Sequence, residues 1–112
     1  MKKKFAVPTR DKKLCEHFGH CQKFAIIEVD DETIIKSEFV DPPAHEPGLF
    51  PKFLSDMGVS TIIAGGMGQK AQNLFSKNNI EVCVGVDFDE PSKLVRQYLN
   101  RELRTGKNLC DH

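Results

Sequence analysis

The chain has no tryptophan and a single tyrosine among its 112 residues. Aromatic platforms for stacking nucleic-acid bases are therefore scarce. It has no surplus of either charge: sixteen basic and sixteen acidic residues cancel. A neutral balance leaves no electrostatic footprint for nucleic acid or an anionic membrane. Long apolar runs are missing too. The longest are about six residues, far short of the ~20 that a spanning helix needs. The basic Met1-Lys2-Lys3-Lys4 start leads only into Phe5-Ala6-Val7-Pro8, too short for the apolar region of a signal peptide. No segment is repetitive or low in complexity. These absences predict one soluble, cytoplasmic domain over residues 1–112, large enough to bury a core without staples.

Four cysteines would suit a disulfide framework in a secreted chain; in a cytoplasmic one they read as thiols or metal ligands. A first strand is expected over Lys3–Pro8, followed by a long polar loop over residues 9–22. Strands over Phe24–Val29 and Thr33–Val40 follow, joined by a short turn at Asp30-Asp31-Glu32, and such turns join antiparallel strands. Phe50, Phe53, Leu54 and Met57 fall at helical spacing, with Pro51 in the first turn and Gly58 as the stop. Val59–Ala64 carries the unbroken apolar stretch of a buried parallel strand. Ala71, Leu74 and Phe75 mark a second helix and Ile80–Val84 a fifth strand. Glu90-Pro91 opens a third helix, with Leu94, Val95, Tyr98, Leu99 and Leu103 inward and Gly106 as its stop.

The element order βββαβαβα predicts an α/β fold with one mixed five-stranded sheet, spatial order 3-2-1-4-5, and helices on its faces. In that topology the loops after strands 1, 3, 4 and 5 leave the same end of the sheet. These are residues 9–22, 41–48, 65–68 and 85–90. A crevice opens between strands 1 and 4, where the strand order reverses and ligands tend to bind. The chemically unusual residues sit in those loops.

Cys15-Glu16-His17-Phe18-Gly19-His20-Cys21 holds four soft or borderline donors, Cys15, His17, His20 and Cys21. Thiolate and imidazole together suit zinc, copper or iron–sulfur centres, although the spacing is not that of a zinc finger. A coincidental cluster in a polar loop, or oxidation of Cys15 with Cys21, are the competing readings. Pro42-Pro43-Ala44-His45-Glu46-Pro47-Gly48 is a stiff loop that displays His45 as a ligand or substrate contact, or simply connects strand to helix. Gly65-Gly66-Met67-Gly68 lets backbone amides approach a ligand at a helix start; the plain alternative is a tight turn with Met67 in the core. Cys83 reads as a small buried hydrophobe. Cys110-Asp111-His112 is a tail that caps the same site, reaches a neighbour or does nothing. The sheet order is similar to that of ribonuclease-H-like folds, whose metal-dependent chemistry needs carboxylates on strands 1 and 4. None is present there, so two-metal phosphoryl transfer is not expected. No nucleophile elbow or Ser-His-Asp motif appears.

His17-Phe18-Gly19, the Pro42–Gly48 loop, Ile62-Ile63-Ala64-Gly65-Gly66-Met67-Gly68 with Ala71 and Leu74-Phe75, and the closing Cys110-Asp111-His112 resemble the dinitrogenase iron–molybdenum cofactor biosynthesis family. The likeness spans nearly the whole chain and is nearest to the short stand-alone members. It implies a ribonuclease-H-like fold without nuclease activity. It also implies non-enzymatic binding or carriage of an iron–sulfur or iron–molybdenum cluster, with His17 as the family's ligand-binding histidine. Partners implied are cluster donor and acceptor proteins, an iron–sulfur scaffold ATPase among them, and the chain itself is expected as a monomer or weak homo-oligomer. Two other classes compete: a mononuclear zinc or copper module, and an anion- or nucleotide-binding regulatory module using Gly65–Gly68.

Overall fold

The structure, a computed structural model, describes residues 2–10, 13–14, 23–41, 49–86 and 89–100. Its elements are β1 (Lys2–Arg10), β2 (Lys13–Leu14), β3 (Lys23–Asp30), β4 (Thr33–Val40), α1 (Leu49–Asp56), β5 (Thr61–Ile63), α2 (Gln69–Lys77), β6 (Glu81–Cys83) and α3 (Pro91–Leu99). The sheet runs β4-β3-β1-β5-β6, with β2 added against β1. β1 is antiparallel to β3 and parallel to β5, and β5 is parallel to β6. Apart from the extra β2, this is the expected order 3-2-1-4-5 with its mixed pairing.

Strand alternation sorts the side chains into two cores, one on each face. Ala6, Phe24, Ile26, Ile62 and Ala64 face α1 and α2, where Phe50, Leu54 and Phe75 close over them. Phe5, Val7, Ala25, Ile27 and Ile63 face α3, where Leu94 and Val95 cover them. Burial of each of the larger of these side chains, from valine to phenylalanine, contributes about 1.5–3 kcal/mol. Edge-to-face ring pairs fix both helix layers: Phe24 with Phe50 at 5.3 Å and Phe5 with Tyr98 at 5.1 Å between centroids.

The helix ends follow their punctuation. Gly58, at φ +85°, ends α1 in the left-handed conformation that glycine adopts without a Cβ penalty. Val59 N–H then bonds back to the Leu54 carbonyl. α3 ends at Leu99, with Asn100 as its C-cap, short of the stop expected at Gly106. Leu103 and Gly106 lie outside the described residues. Among the described residues, no helix is long and apolar enough to cross a membrane.

Candidate functional site

The first strand does not end at its proline. β1 continues through Pro8 to Arg10, and residues 13–14 return as β2, pairing Thr9 with Leu14 and Arg10 with Lys13. The first part of the expected 9–22 loop is thus a short hairpin. Pro8 is accommodated because of where its nitrogen lies. The Lys4 carbonyl accepts from Ser60 N–H on the β5 side, so the even-numbered residues of β1 turn their backbone groups that way. Pro8 therefore lacks a donor on the edge where β5, last paired at Ala6–Ile62, gives way to β2. A residue with no N–H suits that gap. β5 leaves β1 there and stays with β6 through Ala64 N–H to the Cys83 carbonyl, 2.8 Å.

Around this divergence the strand ends are tied together. Leu14 N–H donates to the Asp89 carbonyl at 3.0 Å, joining β2 to the segment before α3. Gly85 N–H donates to the Gly65 carbonyl at 2.9 Å, joining the connections after β5 and β6. Lys23 Nζ stands 3.0 Å from Asp41 Oδ1, joining the start of β3 to the end of β4. Thr9 Oγ1 donates to the Lys23 carbonyl at 2.8 Å. Thr9 pairs with Leu14 on one edge and Lys23 on the other. Leu14 and Lys23, the described residues on either side of positions 15–22, therefore sit about two strand spacings, ~9.5 Å, apart.

Cys15, His17, His20, Cys21 and His45 fall outside the described residues, as do Cys110, Asp111 and His112. Of the expected site, Gly65, Gly66, Met67 and Gly68 are described. Gly65 and Gly66 are buried, and Gly68 is exposed. The Met67 side chain is fully buried in the core beside α1 and α2, so its thioether fills space, and its carbonyl accepts from Gln72 Nε2 at 2.9 Å. Gly68 is the N-cap of α2, with φ −64° and no side-chain cap. A Cβ placed there would meet nothing within 4 Å. Its glycine is not demanded by backbone strain; it leaves the helix start open. The first turn of α2 carries no acid and one exposed cation, Lys70, an electrostatic setting that favours anions.

The glycine that geometry does require in this rim is Gly85, at φ +72°, which the sequence reading passed over. Its signal was present, a lone glycine just beyond a strand. Asp89 is a second addition: its carboxylate Oδ1 accepts from Glu90 N–H at 2.8 Å while its carbonyl holds Leu14. Cys83 is half-buried and packs at the margin of the α3-side core. Burial, helped by the negative charge of Glu81, pushes its thiol up to about 11, so it stays protonated and is a poor ligand near neutrality. Tyr98 donates its hydroxyl to Glu81 Oε1. Among the described residues, no group of three His, Cys, Asp or Glu could hold a metal ion.

The profile of the family described as dinitrogenase iron–molybdenum cofactor matches residues 1–101. The uncharacterized protein MJ0580 of Methanocaldococcus jannaschii is 33% identical over 84 residues, which is 70% of this chain and 71% of that protein. Among solved structures, PH0822 superposes with a TM-score of 0.86 at 24% identity, covering 97% of this chain and 99% of its own. The apo form of the orange protein from Desulfovibrio gigas has a TM-score of 0.74 at 22% identity, covering 95% of this chain and 94% of its own. Both likenesses are of fold.

Proposed function

We propose, from the premise that this chain belongs to the dinitrogenase iron–molybdenum cofactor family, that it binds and carries an iron–sulfur or iron–molybdenum type cluster as cargo. It works without catalysing a reaction of its own, in the cytoplasm, between a protein that supplies the cluster and one that receives it, an iron–sulfur scaffold ATPase being one such partner.

The observation that carries this reading is the joining of five strand ends, those of β2 to β6, at one pole of the sheet, through Leu14 to Asp89, Lys23 to Asp41 and Gly85 to Gly65. Residues 15–22 are flanked in sequence by Leu14 and Lys23, and residues 42–48 follow Asp41. Covalent reach alone keeps Cys15 within one residue of Leu14 and Cys21 within ~7 Å of Lys23. His45 is four residues, at most ~14 Å, from Asp41. That reach is compatible with, and supports, the reading that these donors share one site.

The chemistry of the donor set fits such cargo. Thiolate and imidazole are ligands for iron–sulfur centres. Thiolate-ligated clusters are commonly anionic, and the uncapped, acid-free start of α2 beside Gly68 favours negative charge. Few protein ligands on loops leave a cluster transferable, which a closed four-cysteine cage does not.

Anaerobic purification followed by reconstitution with iron, sulfide and molybdate tests the reading. It expects a coloured protein with stoichiometric iron and acid-labile sulfide. A colourless protein that takes up zinc or copper without sulfide assigns the mononuclear alternative instead.

A further inference from the structure

β4 (Thr33–Val40) is the terminal strand of the sheet, and among the described strands it pairs with β3 alone. Residues 35–39 are all exposed. The exposed large apolar side chains of the described residues are both here: Ile35 at 49% and Phe39 at 42%. An open edge of this kind invites a further strand. Lys36 and Glu38, 3.8 Å apart and exposed, are charges of the sort that guard such an edge. They guard it against most partners but not against a copy of itself.

Consider two β4 strands running antiparallel with Ser37 opposite Ser37. Lys36 then faces Glu38 of the other copy, and Glu38 faces its Lys36. Ile35 faces Phe39, and Phe39 faces Ile35. Every cross-strand pair is favourable: opposite charges, apolar with aromatic, and hydroxyl with hydroxyl. Shifting the axis to Lys36 sets Lys36 against Lys36 and Ile34 against Glu38. Shifting it to Glu38 sets Glu38 against Glu38 and Ile35 against Asp41. Like charges directly opposite are destabilising. A one-residue slip puts side chains on opposite faces. The register is bounded at one end by a bulge, because Val29 pairs with Ile34 and Glu28 with Lys36, leaving Ile35 as the extra residue.

We propose that this chain forms a two-fold symmetric dimer by antiparallel pairing of β4 with β4 of a second copy, centred on Ser37, making one continuous sheet through both chains. Such an interface is isologous, so each contact occurs twice. It leaves the pole with the glycine connection free in both copies and does not depend on cargo binding.

The test is a charge swap read by sedimentation under reducing conditions. The wild-type protein is expected to reach twice the 12.6 kDa of one chain as concentration rises. Lys36→Glu and Glu38→Lys each place like charges opposite at two positions and are expected to weaken association by about tenfold or more. The double variant Lys36→Glu/Glu38→Lys restores it. Mixing the two single variants yields a heterodimer, since each supplies the charge that the other lacks. Circular dichroism of each variant verifies that the fold is kept, which the exposure of both residues predicts. A single-chain mass at every concentration up to about 1 mM, or a dimer indifferent to the single reversals, overturns the proposal.

Discussion

Lys23 Nζ and Asp41 Oδ1 lie 3.0 Å apart, and that pair closes the end of the β3–β4 ribbon at which two donor-bearing segments attach. Both side chains are largely exposed, at 51% and 83%, so solvent screens the attraction. Asp41→Asn is expected to lower stability by no more than ~0.5 kcal/mol, measured by urea denaturation. A loss of several times that size would mean that the ribbon end depends on the pair.

The two rim glycines should respond differently to alanine. Gly85 is left-handed at φ +72°, so Gly85→Ala is expected to cost about 1–2 kcal/mol. Gly68 has ordinary angles and open space around its missing Cβ, so Gly68→Ala should stay within ~0.5 kcal/mol of wild type. Equal losses in the two variants would refute this assignment of strain.

Leu14 is 1% exposed, and its backbone is held by Asp89. Leu14→Ala and Leu54→Ala are both expected to cost about 2–5 kcal/mol. Only the first should also reduce metal-cluster uptake at temperatures where both variants remain folded, because Leu14 is joined to Cys15 whereas Leu54 packs α1. Matching uptake in the two variants would show that the β2 anchor is irrelevant to the site.

Alkaline stability follows from Cys83 and Tyr98. Burial raises the Cys83 thiol from an ordinary 9.0 to about 11. The hydrogen bond to Glu81, then burial, raises the Tyr98 phenol from 10.0 to about 12. In each case the folded chain keeps its proton after the unfolded chain has lost it, so stability is full below the unfolded value and falls as pH rises. Urea midpoints should decline from pH 9 to 11, and Cys83→Ala with Tyr98→Phe should flatten that decline. A wild-type midpoint that holds constant over this range would refute it. At neutral pH, Cys83 should be alkylated slowly in the native protein and readily in urea.

Most of the fold was legible because its signals are local and periodic. Ile62-Ile63-Ala64 reads as a buried parallel strand, and Phe50 with Leu54 reads as one face of a helix. β2 was not legible: two residues have no periodicity, and Asp11-Lys12-Lys13 looks like polar loop. Pro8 read as a stop because the edge on which its missing donor would fall depends on how β5 and β2 share β1, a long-range fact. For the same reason Gly65–Gly68 drew attention as a glycine-rich sequence, while the rim glycine under conformational demand is Gly85. Met67 looked available as a ligand in a glycine loop, yet its side chain is fully buried in the core with Phe50, Leu54 and Phe75 of α1 and α2. The convergence of strand ends followed from topology alone, and the bonds of Leu14, Lys23 and Gly85 give it physical form.

The most direct measurement is iron, sulfide and molybdenum content after anaerobic reconstitution, made on wild type and on a His17→Ala/His20→Ala/Cys21→Ala variant. Wild type is expected to give a stoichiometric, coloured complex, and the variant to lose at least nine-tenths of the bound metal (a tenfold fall in affinity or more). Equal metal content in the two proteins, or none in the wild type, would contradict that expectation.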